Sequence, residues 1–350
     1  MTRTWLDAQD FRDGSPTPTQ ETDMTSPRAE KPVEPPQRRK TPTGSRRWGI
    51  PAAAGAALAL AGGVALWSNA GRADAAPDRT AGAHAAGFTA VAAGDIAERC
   101  TASDSDCEHP KTAALVKQID PAFVLTMGDN QYDDARLKDF KRYYDTSWGA
   151  FKSKTHPAPG NHETYDPEGE LAGYKSYFGS VAYPKGKSYY SFDQDNWHFI
   201  ALDSNSLDQT QTDWLKADLA ANSKKCVAAY WHHPLFSSGE HGNDPVSRPV
   251  WKLLQDAKAE LVLNGHDHHY ERFAPQNADG KADENGIVEL LAGMGGANPY
   301  KIEEVQPNSE KRLTDTFGVV KLNFTDTGFS WELVGTDGKT KDRSPAYQCH

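Results

Sequence analysis

From residue 88 onward, short apolar runs alternate with stretches in which apolar residues recur every three or four positions. The short runs predict strands and the 3.6-residue spacing predicts helices. Strand signals fall at Phe88–Ala93, Phe123–Met127, Cys226–Trp231, Leu261–Asn264 and Ile287–Ala292, while His156–Pro159 leads into Gly160-Asn161. Ser188–Asp193 and Trp197–Asp203 alternate apolar and polar residues about Gln194-Asp195-Asn196, which predicts a hairpin. Phe317–Thr325 and Gly328–Val334 predict a second hairpin over Asp326-Thr327. Helical spacing covers Pro110–Ile119, Thr210–Ala220, Pro249–Ala259 and Ala135–Trp148, the last with Leu137, Phe140, Tyr144 and Trp148 on one face. Repeated strand–helix–strand units imply parallel pairing with helices on the sheet faces, and the hairpins add antiparallel strands. The expected fold is therefore a layered α/β sandwich with mixed sheets. No internal repeat is visible.

The strands end in polar residues. Leu261–Asn264 runs into Gly265-His266-Asp267-His268-His269. His266 and His268 are two apart, which in extended chain puts both imidazoles on one side. Imidazole is the commonest protein metal ligand near neutral pH. Four other strand ends carry complementary groups: Asp95, then Asp129 with Tyr132, then Asn161-His162-Glu163, then His232-His233. Sites in α/β folds gather at such carboxyl ends. Carboxylate, amide oxygen, phenolate and imidazole are the donors of a hard-to-borderline metal site. There are too many for one ion, so a two-metal centre is the economical reading. Paired metals about 3.5–4 Å apart clamp the attacking and leaving oxygens of an in-line displacement and make hydroxide available at neutral pH. That chemistry is phosphoester hydrolysis. Each residue also has a plainer reading. Asp95 and Asp129 suit helix N-caps, Tyr132 a packed aromatic, and Asn161 a tight turn after Gly160. Their joint placement at strand ends favours the site. His233 and His269 read as supporting or packing residues. His84, His109, His156, His198 and His350 are set outside the chemistry.

The N-terminal quarter differs in kind. Residues 13–47 are dense in Pro, Thr, Ser, Arg and Lys, with almost no large apolar side chains. Such a segment cannot bury enough surface to offset its chain entropy, so residues 1–47 are expected to be a disordered polar leader. Arg46-Arg47 then precede a charge-free Ala/Gly/Leu run from Trp48 to Trp67, followed by the A-x-A site Ala73-Asp74-Ala75. Basic flank, apolar core and small-residue site predict a signal peptide over residues 48–75. Ser45-Arg46-Arg47-Trp48 and the low hydrophobicity point to the twin-arginine export route. Left uncleaved, the run is about long enough to span a bilayer and would anchor the catalytic domain outside. Residues 76–87 read as a linker and 88–350 as one domain. The net charge is −10, yet residues 1–75 hold ten Lys/Arg against eight Asp/Glu, so the acidity lies in the remainder. An acidic exported domain argues against a nucleic-acid partner, and against a membrane partner unless the N-terminal segment stays attached. The four cysteines form an even set, which in an exported protein predicts two disulfides. Cys100–Cys107 would close a local loop and Cys226–Cys349 would tie the C-terminus to a core strand. Zinc thiolates are disfavoured because no C-x-x-C pair exists.

Gly94-Asp95, Gly128-Asp129-Asn130-Gln131-Tyr132, Gly160-Asn161-His162-Glu163, His232-His233-Pro234 and Gly265-His266-Asp267-His268 resemble, in order, the five blocks of calcineurin-like metallophosphoesterases. The G-D-x-x-Y block, together with Tyr189-Tyr190-Ser191-Phe192 and His198-Phe199-Ile200-Ala201-Leu202-Asp203, resembles the purple acid phosphatase branch. The resemblance covers about residues 88–335. It implies an αββα sandwich of two mixed β-sheets with a dinuclear site at strand C-terminal ends. It also implies a first metal held by Asp95, Asp129, Tyr132 and His268, and a second held by Asp129, Asn161, His232 and His266, with Asp129 bridging. His162 falls where the family has a phosphate-contacting His that protonates the leaving oxygen. His241, in Gly239-Glu240-His241-Gly242, falls near another substrate-facing His, by a looser match. Most metallophosphoesterases have a His in the first block where this chain has Ala97. The purple branch lacks that His and uses the Tyr, here Tyr132. A phenolate favours a ferric ion, by hardness, beside a divalent partner such as Fe, Zn or Mn. The purple branch has Gly at the Ala97 position, which leaves the tightness of that turn open.

The expected function is a secreted two-metal phosphomonoesterase working by attack of a metal-bound hydroxide on a phosphate ester. Two alternatives remain. One is a phosphodiesterase on nucleotide, phospholipid or wall-polymer esters, a choice set by loops. The other is a non-catalytic extracellular phosphate- or metal-binding protein, whose mark would be a lost ligand or a lost His162; this chain keeps both.

Overall fold

The structure is a computed structural model and describes residues 87–350. The leader and signal readings over residues 1–75 lie outside the described residues. The elements run β1 (Phe88–Ala93), α1 (His109–Ile119), β2 (Phe123–Met127), α2 (Leu137–Arg142), β3 (Thr155–Ala158), α3 (Asn161–Thr164) and α4 (Ala172–Phe178). Then come β4 (Tyr190–Gln194), β5 (Trp197–Ala201), α5 (Gln209–Ala221), β6 (Cys226–Tyr230), α6 (Arg248–Asp256), β7 (Leu261–Asn264) and β8 (Tyr270–Phe273). The chain closes with β9 (Val288–Ala292), β10 (Ser309–Leu313), β11 (Gly318–Thr325), β12 (Gly328–Gly335), β13 (Thr340–Arg343) and β14 (Tyr347–Gln348).

Two seven-stranded sheets result. One has the order β13-β12-β11-β1-β2-β3, with β14 beside β12; the other has the order β10-β8-β9-β7-β6-β5-β4. β1, β2 and β3 are mutually parallel, as are β5, β6, β7 and β9, and the hairpin strands add antiparallel edges. Strand side chains alternate between two buried layers, as the pleat requires. Leu125, Met127, Phe199, Leu263, Phe324 and Trp331 meet between the sheets. Val91, Val124 and Val319 face outward and pack with Val116, Phe140 and Tyr174 of the helices on one side. Val227, Val262 and Leu291 do the same with Leu215, Trp251 and Leu254 on the other. Both faces of each sheet are therefore covered, which explains the largely apolar runs in the parallel strands. The architecture is the expected αββα sandwich.

One expected helix is not continuous. Over residues 135–148 the chain forms only the short α2 and a turn of tighter helix at Tyr144–Thr146, before a second tighter stretch at Trp148–Lys154. Ala135 has φ of 44° and Arg136 is extended, so the helix starts late. The Tyr144 N–H then donates to the Gln131 side-chain oxygen at 3.1 Å instead of continuing the helical ladder. Phe140, Tyr144 and Trp148 still share one buried layer, so the periodicity reports burial correctly and backbone continuity wrongly. The alternation missed β8, β10, β13 and β14. In β8 the reason is plain: Glu271 is wholly buried, held by Ser238 and His269, and breaks the apolar signal. Both disulfides, Cys100–Cys107 and Cys226–Cys349, pair as expected.

Candidate metal centre

The parallel strands β1, β2, β3, β6 and β7 deliver their polar ends to one rim of the sandwich. The two sheets approach closely there. A Cβ on Gly94 would lie 3.2 Å from the Gly265 Cα, so small residues are needed on both sides. Gly128 has φ of 83°, and a Cβ there would meet the His232 ring at 2.6 Å and the Gly160 backbone at 2.7 Å. Asp95, Asp129 and His266 hold φ of 58°, 47° and 73°. Strained backbone of this kind persists where the surroundings over-determine it, and it concentrates at functional sites.

The loops after β1 and β2 run on together past the sheet. Ile96 N–H and Ala97 N–H donate to the carbonyls of Asp129 and Asn130 at 2.9 and 3.1 Å, and the Tyr132 N–H donates to the Ala97 carbonyl at 2.8 Å. Ala97 is buried and accommodated, so its departure from the family's glycine leaves the turn closed and Tyr132 in place.

Seven residues read from the sequence converge here. The Tyr132 hydroxyl lies 3.0 Å from Asp95 Oδ1, 3.2 Å from Asp129 Oδ2 and 2.9 Å from His268 Nε2. Asp129 Oδ2 is 3.3 Å from His232 Nε2, which is 2.9 Å from Asn161 Oδ1 and 3.2 Å from His266 Nδ1. These are two groups of four donors sharing Asp129. His232 Nδ1–H donates to the Met127 carbonyl at 2.8 Å, and His268 Nδ1–H donates to the Asn298 carbonyl at 2.7 Å. Those bonds orient each ring so that its Nε2 faces inward, a usual device for a metal-ligating His.

The donor set fits cations. Asp95, Asp129 and His232 are buried with ligand atoms within 4.8 Å of one another. Burial alone would suppress charge on His232, but Asp129 and Asp95 more than offset it and hold its pKa above the ordinary imidazole value. Positive charge is thus favoured at the centre. Burial raises Asp129, but His232 and His162 bring it well below the carboxylate range. His266 is pushed low by burial and by the neighbouring imidazoles, so its lone pair is free. Burial, Asp129 and Asp95 push the Tyr132 phenol far above its ordinary value. Only a strongly charged cation in contact would reverse that.

His162 and His241 stand at the rim. The His162 ring packs on Tyr132 with centroids 4.3 Å apart, its Nδ1–H donates to the Asp133 carbonyl, and Nε2 lies 3.8 Å from Asp129 Oδ2. His241 is exposed and stacks on His266 at 4.2 Å. Its backbone is held by Asp267, which accepts the His241 N–H at 3.0 Å and the Ser237 hydroxyl. His233 bonds Ser204 at 2.7 Å and His269 bonds Glu271 at 3.0 Å, the supporting roles expected of them.

Two neighbours escaped sequence reasoning. Tyr300 stacks on His268 at 3.8 Å and reaches within 5.4 Å of His241. It lies in a loop with no periodic signal. Glu163 is wholly buried and accepts N–H bonds from Gly160 at 2.6 Å, Asn130 at 2.8 Å and Asp129 at 3.0 Å. It stood beside His162 in the third block, but nothing local marks it as the clamp joining the loops after β2 and β3.

A four-layer α/β sandwich whose parallel strands end in a shared cluster of carboxylate, phenol, amide and imidazole donors defines the class of two-sheet metal-site proteins. The sequence profile of the calcineurin-like phosphoesterases matches residues 88–270, and the chain belongs to that family. Its relatives place it on the purple acid phosphatase side. Purple acid phosphatase 22 of Arabidopsis thaliana is 30% identical over 203 residues, 50% of this chain and 46% of that protein. Tartrate-resistant acid phosphatase type 5 of Sus scrofa is 25% identical over 224 residues, 52% of this chain and 61% of its own. A solved purple acid phosphatase isolated from yellow lupin (Lupinus luteus) seeds has a TM-score of 0.62 at 22% identity, over 74% of this chain and 53% of that one, a likeness of fold. The chain spans less than half the length of the Arabidopsis relative.

Proposed function

We propose that this domain is a two-metal phosphoesterase acting on phosphate monoesters. The observation that carries the reading is the meeting of Asp95, Asp129, Tyr132, Asn161, His232, His266 and His268 at one rim, with His162 beside them. Asp95, Asp129, Tyr132 and His268 would hold one cation, ferric by the phenolate. Asp129, Asn161, His232 and His266 would hold a divalent one. Such a pair supplies hydroxide at neutral pH and neutralises charge building on a phosphoryl group.

The chain's own residues do the rest. The carbonyls of Met127 and Asn298 keep the His232 and His268 rings turned inward. The His162 N–H is held by Asp129 Oδ1 at 2.9 Å, which couples that ring's position to the shared carboxylate. His162 Nε2 is free to donate a proton to the leaving oxygen. His241 stacks on the His266 ring at the rim, where it can bind a phosphate oxygen. A phosphate monoester is favoured over a diester because the curated relatives described above are phosphatases. Export through the segment at residues 48–75 belongs to the same reading.

The test is metal analysis of the purified protein beside hydrolysis of p-nitrophenyl phosphate and bis-p-nitrophenyl phosphate. Two equivalents of metal and faster monoester turnover are expected. Faster diester turnover would overturn the substrate class, and no turnover by metal-loaded protein would overturn the activity.

A further inference from the structure

A cavity of about 430 Å³ opens beside the centre, and Asn161 and His233 form its inner wall. Asn161 belongs to both places: its Oδ1 faces His232 at 2.9 Å and its Nδ2–H donates to the Tyr165 hydroxyl at 3.0 Å. Tyr165 stands at the cavity edge, 55% exposed, the only aromatic among the described residues with so much surface. Its ring also meets the edge of His162 at 5.1 Å. It is therefore an exposed aromatic face held in place by two residues of the centre.

The charge of the cavity is one-sided. Glu170, Asp203 and Asp244 line it, and no Lys or Arg does. The three carboxylates are not equivalent. Asp203 is buried and committed to Ser188 at 2.6 Å and Asn205 at 3.0 Å, so it shapes the wall. Asp244 caps the turn at Pro245–Ser247 through one oxygen, bonded to the Val246 N–H at 3.0 Å, and its other oxygen is uncommitted. Glu170 is exposed, and its carboxylate has no ion-pair partner among the described residues, although the Lys175 ammonium donates to its backbone carbonyl at 3.3 Å. A cation beside the ring of Tyr165 would be attracted by the aromatic face and by both free carboxylates at once. A leaving group carrying a second phosphate would be repelled.

We infer that this cavity binds the leaving alcohol of the substrate, and that the alcohol it takes is cationic: an amino or quaternary-ammonium alcohol. The inference rests on the phosphoesterase reading for where the phosphate sits. The phosphate lies at the centre between His162 and His241, and the alcohol extends past Asn161 to Tyr165, Glu170 and Asp244.

The probes are phosphocholine and its uncharged carbon isostere, 3,3-dimethylbutyl phosphate, which differ by one charge at equal shape. Calorimetry on the metal-loaded protein reads the cavity without needing turnover. Phosphocholine is expected to bind about tenfold tighter, with the margin narrowing as salt screens it. The double variant Glu170→Gln with Asp244→Asn keeps the cap and removes both charges, and should cut the margin below about threefold. Equal binding of the two esters, or a margin that survives in the double variant, overturns the inference. Turnover of p-nitrophenyl phosphate is followed in parallel. Its absence sinks the phosphoesterase reading, while the calorimetric margin still decides what the cavity takes.

Discussion

Replacing Glu163 tests whether a buried carboxylate holds the centre together. Its two oxygens accept N–H groups from Gly160, Asn130 and Asp129 at 2.6, 2.8 and 3.0 Å, with Gln131 more distant at 3.4 Å. Burial and the charge of Asp129 push its pKa up to about 8, so the surroundings resist its ionisation even as the N–H donors favour it. Glu163→Ala leaves three buried N–H groups without an acceptor. Each costs about 1–3 kcal/mol when unpaired, and water entering the vacated space recovers part of that. A net loss of about 3 kcal/mol is expected, or about 5–6 °C in Tm for a domain of this size. Glu163→Gln keeps one accepting oxygen and turns an NH2 toward donors, so it should lose about half as much. Because Asp129 and Gly160 flank the centre, both variants should also bind less metal. Thermal unfolding followed by circular dichroism, with metal analysis of the same samples, makes the measurement. A Glu163→Ala variant within 1 kcal/mol of the parent and fully loaded with metal would refute the clamp.

Asp129→Asn should abolish turnover and release at least one metal while the fold persists, since an amide carries no charge to hold two cations together; two full equivalents with near-normal turnover would refute the shared role. Tyr132→Phe should remove the visible absorption expected of ferric phenolate and weaken metal retention, and a coloured variant would show that Tyr132 merely packs. His198 bonds Asp193 at 2.7 Å and Asp218 at 2.8 Å, with Lys224 3.9 Å from Asp193. Burial opposes its charge, but the two carboxylates prevail and raise its pKa. Its stabilisation is thus full below the unfolded value of about 6.5 and lost as pH rises through the raised folded value. His198→Gln should cost about 1–2 kcal/mol at pH 5 and less at pH 9, and a gap that does not change with pH would contradict the ion pairing. Protein recovered from culture supernatant should begin near Ala76, and finding the intact leader only in membranes would show an anchor instead.

Local pattern alone determined much of this protein. The apolar runs of β1, β2, β6 and β7 are legible because both sheet faces are buried, so apolar residues dominate each strand, with Thr89, Thr126 and Asn264 the exceptions. Most of the donors are legible because they sit one to five residues past such a run, where α/β chains leave the sheet; Asn161 follows the less apolar β3. What only the tertiary structure decided involves residues far apart in the chain. The shared rim exists because two sheets touch at Gly94 and Gly265, 171 residues apart by the contact of Asp95 with His266. Glu163 gained its role from N–H groups on another loop, and Tyr300 from the ring of His268. The helix expected over residues 135–148 was cut because Gln131 offers Tyr144 an acceptor from outside the helix. A one-dimensional pattern records which side chains are buried. It does not record which distant partner satisfies a buried polar group, because that partner is set by packing across the sheets.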